Sequence, residues 1–100
     1  MRVPDHNTAH ESGVIRVLIA DDHPVVCIGL LGIVSGQPDM VVVGQARTGT
    51  QAVALALKHS PDVILMDLRM PDMSGVEAIA AIRAERPESA VIVLTTYQGD

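Results

Sequence analysis

The sequence predicts an α/β fold: an open parallel sheet with helices on both faces. Three observations carry that reading. Short apolar runs rich in β-branched residues alternate with helix-like segments three and a half times along 100 residues. The runs are continuous rather than alternating, as in strands covered on both faces. Three of them end on Asp21-Asp22, Asp67 and Thr95, and right-handed crossovers bring the C-terminal ends of parallel strands to one rim.

Residues 1–13 are polar and aperiodic and read as a mobile tail, in which His6 and His10 are solvated residues rather than a metal pair. V-I-R-V-L-I-A (14–20) is the first strand, ending on Asp21 and Asp22. His23-Pro24 opens a helix, because proline tolerates the first helical turn, and Gly36 stops it. That helix is apolar nearly all round, which predicts burial on more than one side or a neighbour packed on it. Gly29 and Gly32 then read as close approaches to the sheet.

M-V-V-V-G (40–44) is the second strand. Thr48 and Gln51 form a capping-box pattern before a helix over 49–59, with Val53, Ala56 and Leu57 on its apolar face. Pro61 ends it, and V-I-L-M-D (63–67) is the third strand. Ser74 and Glu77 cap a third helix over 74–85, with Val76, Ile79 and Ile82 on one face. After Pro87, A-V-I-V-L-T (90–95) is the fourth strand. Met66, Met70 and Met73 read as packing.

Composition narrows the function classes. Hydrophobic residues make up 48% of the chain, which excludes a disordered polymer. Tyr97 is the only aromatic, so the core rests on Val, Ile, Leu, Ala and Met. A net charge of −5 offers no footprint for nucleic acid or anionic lipid. With Cys27 alone there is no internal disulfide, and the thiol reads as core. The longest apolar run, 25–34, is too short for a bilayer and no signal-peptide pattern opens the chain, so the expected location is cytoplasmic.

Asp21, Asp22, Asp67 and Thr95 are expected on the shared rim near the first and third strands. Three anions that close repel one another unless a cation shares the site, and hard oxygen donors favour Mg²⁺. Such a pocket suits a phosphoryl group. A dinucleotide site needs glycines where this chain has A-D-D-H-P. A haloacid-dehalogenase-type phosphohydrolase has D-x-D after the first strand, whereas here the acids are adjacent and the best-placed single acid lies on the third. As plainer roles, Asp21 and Asp22 are helix-start caps and His23 a surface or capping residue.

V-L-I-A-D-D-H-P, V-I-L-M-D-L-R-M-P-D-M-S-G and V-I-V-L-T-T-Y, in that order, make the chain resemble the receiver domain of a bacterial two-component response regulator of the NarL/FixJ (LuxR-type) family. The likeness runs from about Ile15 to the end. It implies a flavodoxin-like (CheY-like) sheet and a phosphoryl group accepted on Asp67 from a sensor histidine kinase. It further implies Mg²⁺ on Asp22, Asp67 and the Arg69 carbonyl with Asp21 helping, and a hydrogen bond from Thr95 to a phosphoryl oxygen. Transcriptional control would pass through a DNA-binding output domain absent from this chain.

The family pattern continues with a further helix, a fifth strand bearing a lysine and a last helix, so residues 14–100 are expected to form a receiver incomplete at its C-terminus. Lys58 is the only lysine and reads as a surface residue. An open edge on the fourth strand predicts a homodimer or other assembly through it. Two alternatives stand beside the receiver: a protein-interaction fragment that no longer switches, and an Mg²⁺-dependent phosphohydrolase without an evident general base.

Overall fold

The computed structural model describes residues 13–94. Residues 1–12 of the expected tail, together with Thr95 and Tyr97, lie outside the described residues. Within them the order is β1 (Ile15–Ala20), α1 (Pro24–Ser35), β2 (Met40–Ala46), α2 (Gly49–His59), β3 (Val63–Asp67), α3 (Gly75–Glu85) and β4 (Ala90–Leu94). The strands form one parallel sheet in the order β2-β1-β3-β4. The chain therefore reverses direction across the sheet at β1 and β3, the switch point where open α/β sheets place ligands.

The period-2 pleat divides the core in two. Leu18, Ala20, Ile64 and Met66 face α2 and α3, where Ala52, Ala56, Ala78 and Ile82 are buried against them. Val17 and Ile19 face α1 and meet Val34, with Leu65 beside them. The first face is closed by two helices whose small residues let them come close. Among the described residues the second is covered by α1 alone, and it keeps an apolar hollow of about 270 Å³ between Val17, Val34, Leu65 and Ile92.

Several sequence expectations need correction. Helix α1 is not buried on more than one side: Cys27 and Val34 are buried, whereas Val25, Ile28 and Ile33 are 82%, 71% and 65% exposed. A helix lying on one sheet face hides one stripe, however apolar the rest of it is. Gly29 and Gly32 belong to its open side, where an added Cβ would meet nothing. On α3 the buried stripe is Gly75, Ala78 and Ile82, and Val76 is exposed. On α2 it is Ala52 and Ala56, with Leu57 exposed. In both cases small residues at the close helix–sheet contact displaced larger ones from the core.

The capping box at Thr48 is half formed. Thr48 Oγ1 accepts the Gln51 N–H at 3.0 Å, but Gln51 Oε1 turns to the N–H of Arg47. Strand β2 also runs two residues past its expected end, because Gln45 and Ala46 still pair with Ile19 and Ala20. A register shift between Val17 and Leu18 leaves Val43 as the extra residue on β2.

Candidate functional site

Register places the acids. In the β1–β3 ladder Ala20 pairs with Met66, so the next residues stand side by side: Asp21 just past the end of β1, and Asp67 as the last residue of β3, still paired with Leu94. Asp21 is still tied to it, its N–H donating to the Ala46 carbonyl at 3.0 Å. Both carboxylates are enclosed, 0% and 1% exposed. Asp22 is half-buried beside them.

The short β1–α1 connection is held by contacts of its own. Asp21 Oδ1 accepts the His23 N–H at 2.8 Å, which fixes the carboxylate at the mouth of α1. The Cys27 thiol donates to the Asp21 carbonyl at 3.0 Å. Burial pushes that thiol up from its ordinary 9.0, and the Asp21 charge adds to the effect, so it is a core group as expected and a poor nucleophile.

The longer β3–α3 loop is held by bonds of its own and by contacts from outside. Arg69 N–H donates to Asp67 Oδ1 at 3.0 Å, a backbone grip that sequence spacing did not reveal. Ser74 forms a full capping box with Glu77, each accepting the other's N–H, at 3.2 and 3.1 Å. The Gly75 N–H returns to the Leu68 carbonyl at 2.9 Å. Across the gap, the start of α2 meets the loop: Gly49 N–H approaches the Pro71 carbonyl and Thr50 N–H donates to Asp72 Oδ1 at 3.2 Å. Asp72 takes a left-handed φ of 64°, which Asp tolerates better than most residues.

Three carboxylates thus converge, as expected. Their surroundings leave Asp21 Oδ2, Asp22 Oδ1 and Asp67 Oδ2 enclosed without a hydrogen-bond partner. Such oxygens are costly unless something positive takes them. The oxygen donors and this deficit fit a hard divalent cation. His23 was missed as part of the site. It occupies the N-cap position of α1, yet its side chain makes no capping bond. Instead Nδ1 lies 2.8 Å from Asp21 Oδ1, 3.2 Å from Asp22 Oδ1 and 3.4 Å from Asp67 Oδ2. Its pKa is raised above 6.5, first by the hydrogen bond to Asp21, against an opposing desolvation, with the charges of Asp21, Asp22 and Asp67 adding to the rise. The spacing D-D-H before a helix-opening proline was the available signal; nothing in it told which way the ring turns.

A buried acid cluster at the β1/β3 switch point of a 2-1-3-4 parallel sheet defines a class, the receiver-type signalling domain. The chain belongs to the response regulator receiver domain family, which it matches over residues 17–100. Among curated proteins it is 47% identical over 87 residues to the transcriptional regulatory protein LiaR of Bacillus subtilis, covering 87% of this chain and 41% of LiaR. It is 45% identical over 86 residues to the response regulator protein VraR of Staphylococcus aureus, covering 86% of this chain and 41% of VraR. Among solved structures it resembles the response regulator domain of Thermotoga maritima CheB, with a TM-score of 0.78 and 42% identity over 86% of this chain and 65% of that one. The receiver domain of the Mycobacterium tuberculosis NarL regulator gives a TM-score of 0.79 at 35% identity, over 85% of this chain and 68% of that one. The chain spans about two-fifths of the length of the curated relatives it matches. Among the described residues no helix is long and apolar enough to cross a membrane.

Proposed function

We propose that Asp67 is the phosphoacceptor of this receiver. The observation that carries the reading is its enclosure at the β1/β3 rim, where Arg69 N–H holds one carboxylate oxygen and the other has no hydrogen bond. A carboxylate oxygen of Asp67 attacks the phosphorus of a sensor kinase's phosphohistidine. The new P–O bond forms as the P–N bond breaks, and the imidazole leaves with the electron pair. Asp67 becomes an acyl phosphate.

Asp21, Asp22, Asp67 and the carbonyl of Arg69 are the residues that would hold Mg²⁺. When bound, the ion supplies positive charge opposite the transferring phosphoryl oxygens. Asp67 provides the nucleophile, and the Arg69 N–H limits its rotation. The loop props at Gly49 and Ser74 keep both in place. Thr95, by the family pattern, donates a hydrogen bond to a phosphoryl oxygen. Lys58 is exposed at the far end of α2 and does not serve the site.

The wider assignment follows the relatives. Residues 14–100 act as the receiver part of a cytoplasmic regulator, and DNA is contacted through an output domain outside this chain. A phosphoacceptor role is preferred to phosphohydrolysis because the site is a family receiver pocket. Incubation with Mg²⁺ and a small phosphodonor should add one phosphoryl group by intact mass, and Asp67→Asn should abolish it. An unmodified chain at saturating donor, or sustained turnover of a phosphomonoester, would overturn the reading.

A second reading, assembly of two copies along β4, is favoured by Ile92 and Val93, which are 53% and 43% exposed on opposite faces of that strand. Light scattering of the 100-residue chain should then give a dimer mass, and a strict monomer would exclude it.

A further inference from the structure

The sheet ends on β2 as well as on β4, and β2 is the longer edge, seven residues against five. It pairs with β1 on one side, and among the described residues no strand takes its other side. A free edge presents a row of unpaired backbone donors and acceptors, which lysine, proline or an inward-pointing charge commonly protects. M-V-V-V-G-Q-A (40–46) carries none of these. Val41 is 42% exposed. An open hollow of about 400 Å³ follows the strand from Met40 to Gln45, with Leu31 and Ser35 of α1 beside it. The edge therefore has room for an extended chain alongside it.

A bulge is another common protection, but here it selects a register. Val17 and Leu18 point to opposite faces, so their partners Val42 and Gly44 do too. Residues two apart share a face in a regular strand, and the extra residue Val43 reverses that order. Met40 and Val42 thus lie on the α1 face with Gln45, whereas Val41 and Gly44 lie on the α2 face. A second β2 laid antiparallel about a two-fold axis at the bulge sets Met40 opposite Gln45 and Val41 opposite Gly44. Each pair then falls on one face, as a ladder requires.

The charges at the two ends say which chain fits. Asp39 precedes the strand and Arg47 follows it, and both are exposed. Antiparallel pairing brings Asp39 of each copy to the end where Arg47 of the other stands, twice per joint. Parallel pairing would set like charges together. We propose that β2 is a self-association edge, on which two copies of this chain pair antiparallel about Val43 and join their sheets into one. The occupant is a second copy because the strand complements itself in face and in charge. The joint is separate from any contact along β4, and it does not depend on phosphorylation of Asp67.

The test is disulfide cross-linking of the 100-residue chain under mild oxidation, read by intact mass. Cys27 is buried and does not compete. Val43→Cys, near the axis, should give a linked dimer. Adding Val41→Lys should abolish the link, whereas adding Val93→Lys on β4 should leave it. Asp39→Lys or Arg47→Asp added singly should cut the linked fraction about tenfold, and the two together should restore it. Far-UV circular dichroism establishes that each variant is folded. No link in Val43→Cys, a link that survives Val41→Lys, or one lost on Val93→Lys overturns the proposal. So does a charge exchange that fails to restore linking.

Discussion

Two connections meet at the functional rim, and they differ in how far they lean on the rest of the molecule. Between β1 and α1 only Asp21, Asp22 and His23 intervene. That link is short and braced by contacts within itself and to Cys27 and Ala46. Between β3 and α3 the chain spends residues 68–74. That loop adds to its own bonds, Arg69 N–H to Asp67 Oδ1 and Gly75 N–H to the Leu68 carbonyl, a capping box at its exit and a prop from the start of α2. The short link places charged groups by tautness. The long one buys room around Asp67 and relies on glycine and serine to stay put. Changes far from the carboxylates should therefore disturb the second connection more than the first.

The largest effect is expected at the glycine contacts. A Cβ on Gly49 would overlap the Met73 carbonyl oxygen, and one on Gly75 would lie 2.5 Å from the Asp67 carbonyl oxygen. The obstacles are backbone atoms, which cannot swing aside as a side-chain tip would. Gly49→Ala and Gly75→Ala should each cost ~1–3 kcal/mol or more in urea unfolding and slow phosphorylation. Gly29→Ala on the open side of α1 should instead be neutral or slightly stabilising, given the helix preference of alanine over glycine. Equal effects at the three sites would break the comparison.

The caps come next. Ser74→Ala removes a reciprocal box and should lower stability by ~1 kcal/mol in the same assay. Thr48→Ala removes a single accepted bond and should cost less. A larger loss at Thr48 would mean that the loop leans on α2 more than on its own exit.

The smallest effect concerns His23 in the metal-free chain, and its sign is defined. Its pKa is raised in the folded state above the ordinary 6.5, chiefly by the hydrogen bond to Asp21. The protonated ring therefore stabilises the fold fully below about pH 6.5, and the contribution fades as pH rises through the raised folded value. His23→Gln should flatten that part of the stability profile measured in chelator. An unchanged profile would place the ring away from the acids in solution.

Much of this was legible in the sequence because it depends on chain order. The alternation of strands and helices gave the sheet, and the acids at strand ends gave the rim on which Asp21, Asp22 and Asp67 converge. Which face a helix buries was harder to read. Val76 and Leu57 matched an apolar period, yet Ala78 and Ala52 joined the expected Ile82 and Ala56 in the core, because helix-to-sheet distance favours small side chains there. Val25, Ile28 and Ile33 made α1 look buried, whereas exposure is set by how many elements cover a face. His23 escaped notice for a different reason: its role depends on a rotamer, and the sequence fixes its backbone through Pro24 without fixing its ring. The Arg69 N–H bond likewise comes from loop geometry that spacing does not encode.

The central claim is that Asp67, and neither acid of the short connection, receives the phosphoryl group. Phosphorylation of the chain with a small phosphodonor and Mg²⁺, followed by borohydride reduction and peptide mass mapping, tests it directly. An acyl phosphate at position 67 should be reduced to homoserine there, with Asp21 and Asp22 unchanged. Homoserine at position 21 or 22, or none anywhere at saturating donor, would contradict it.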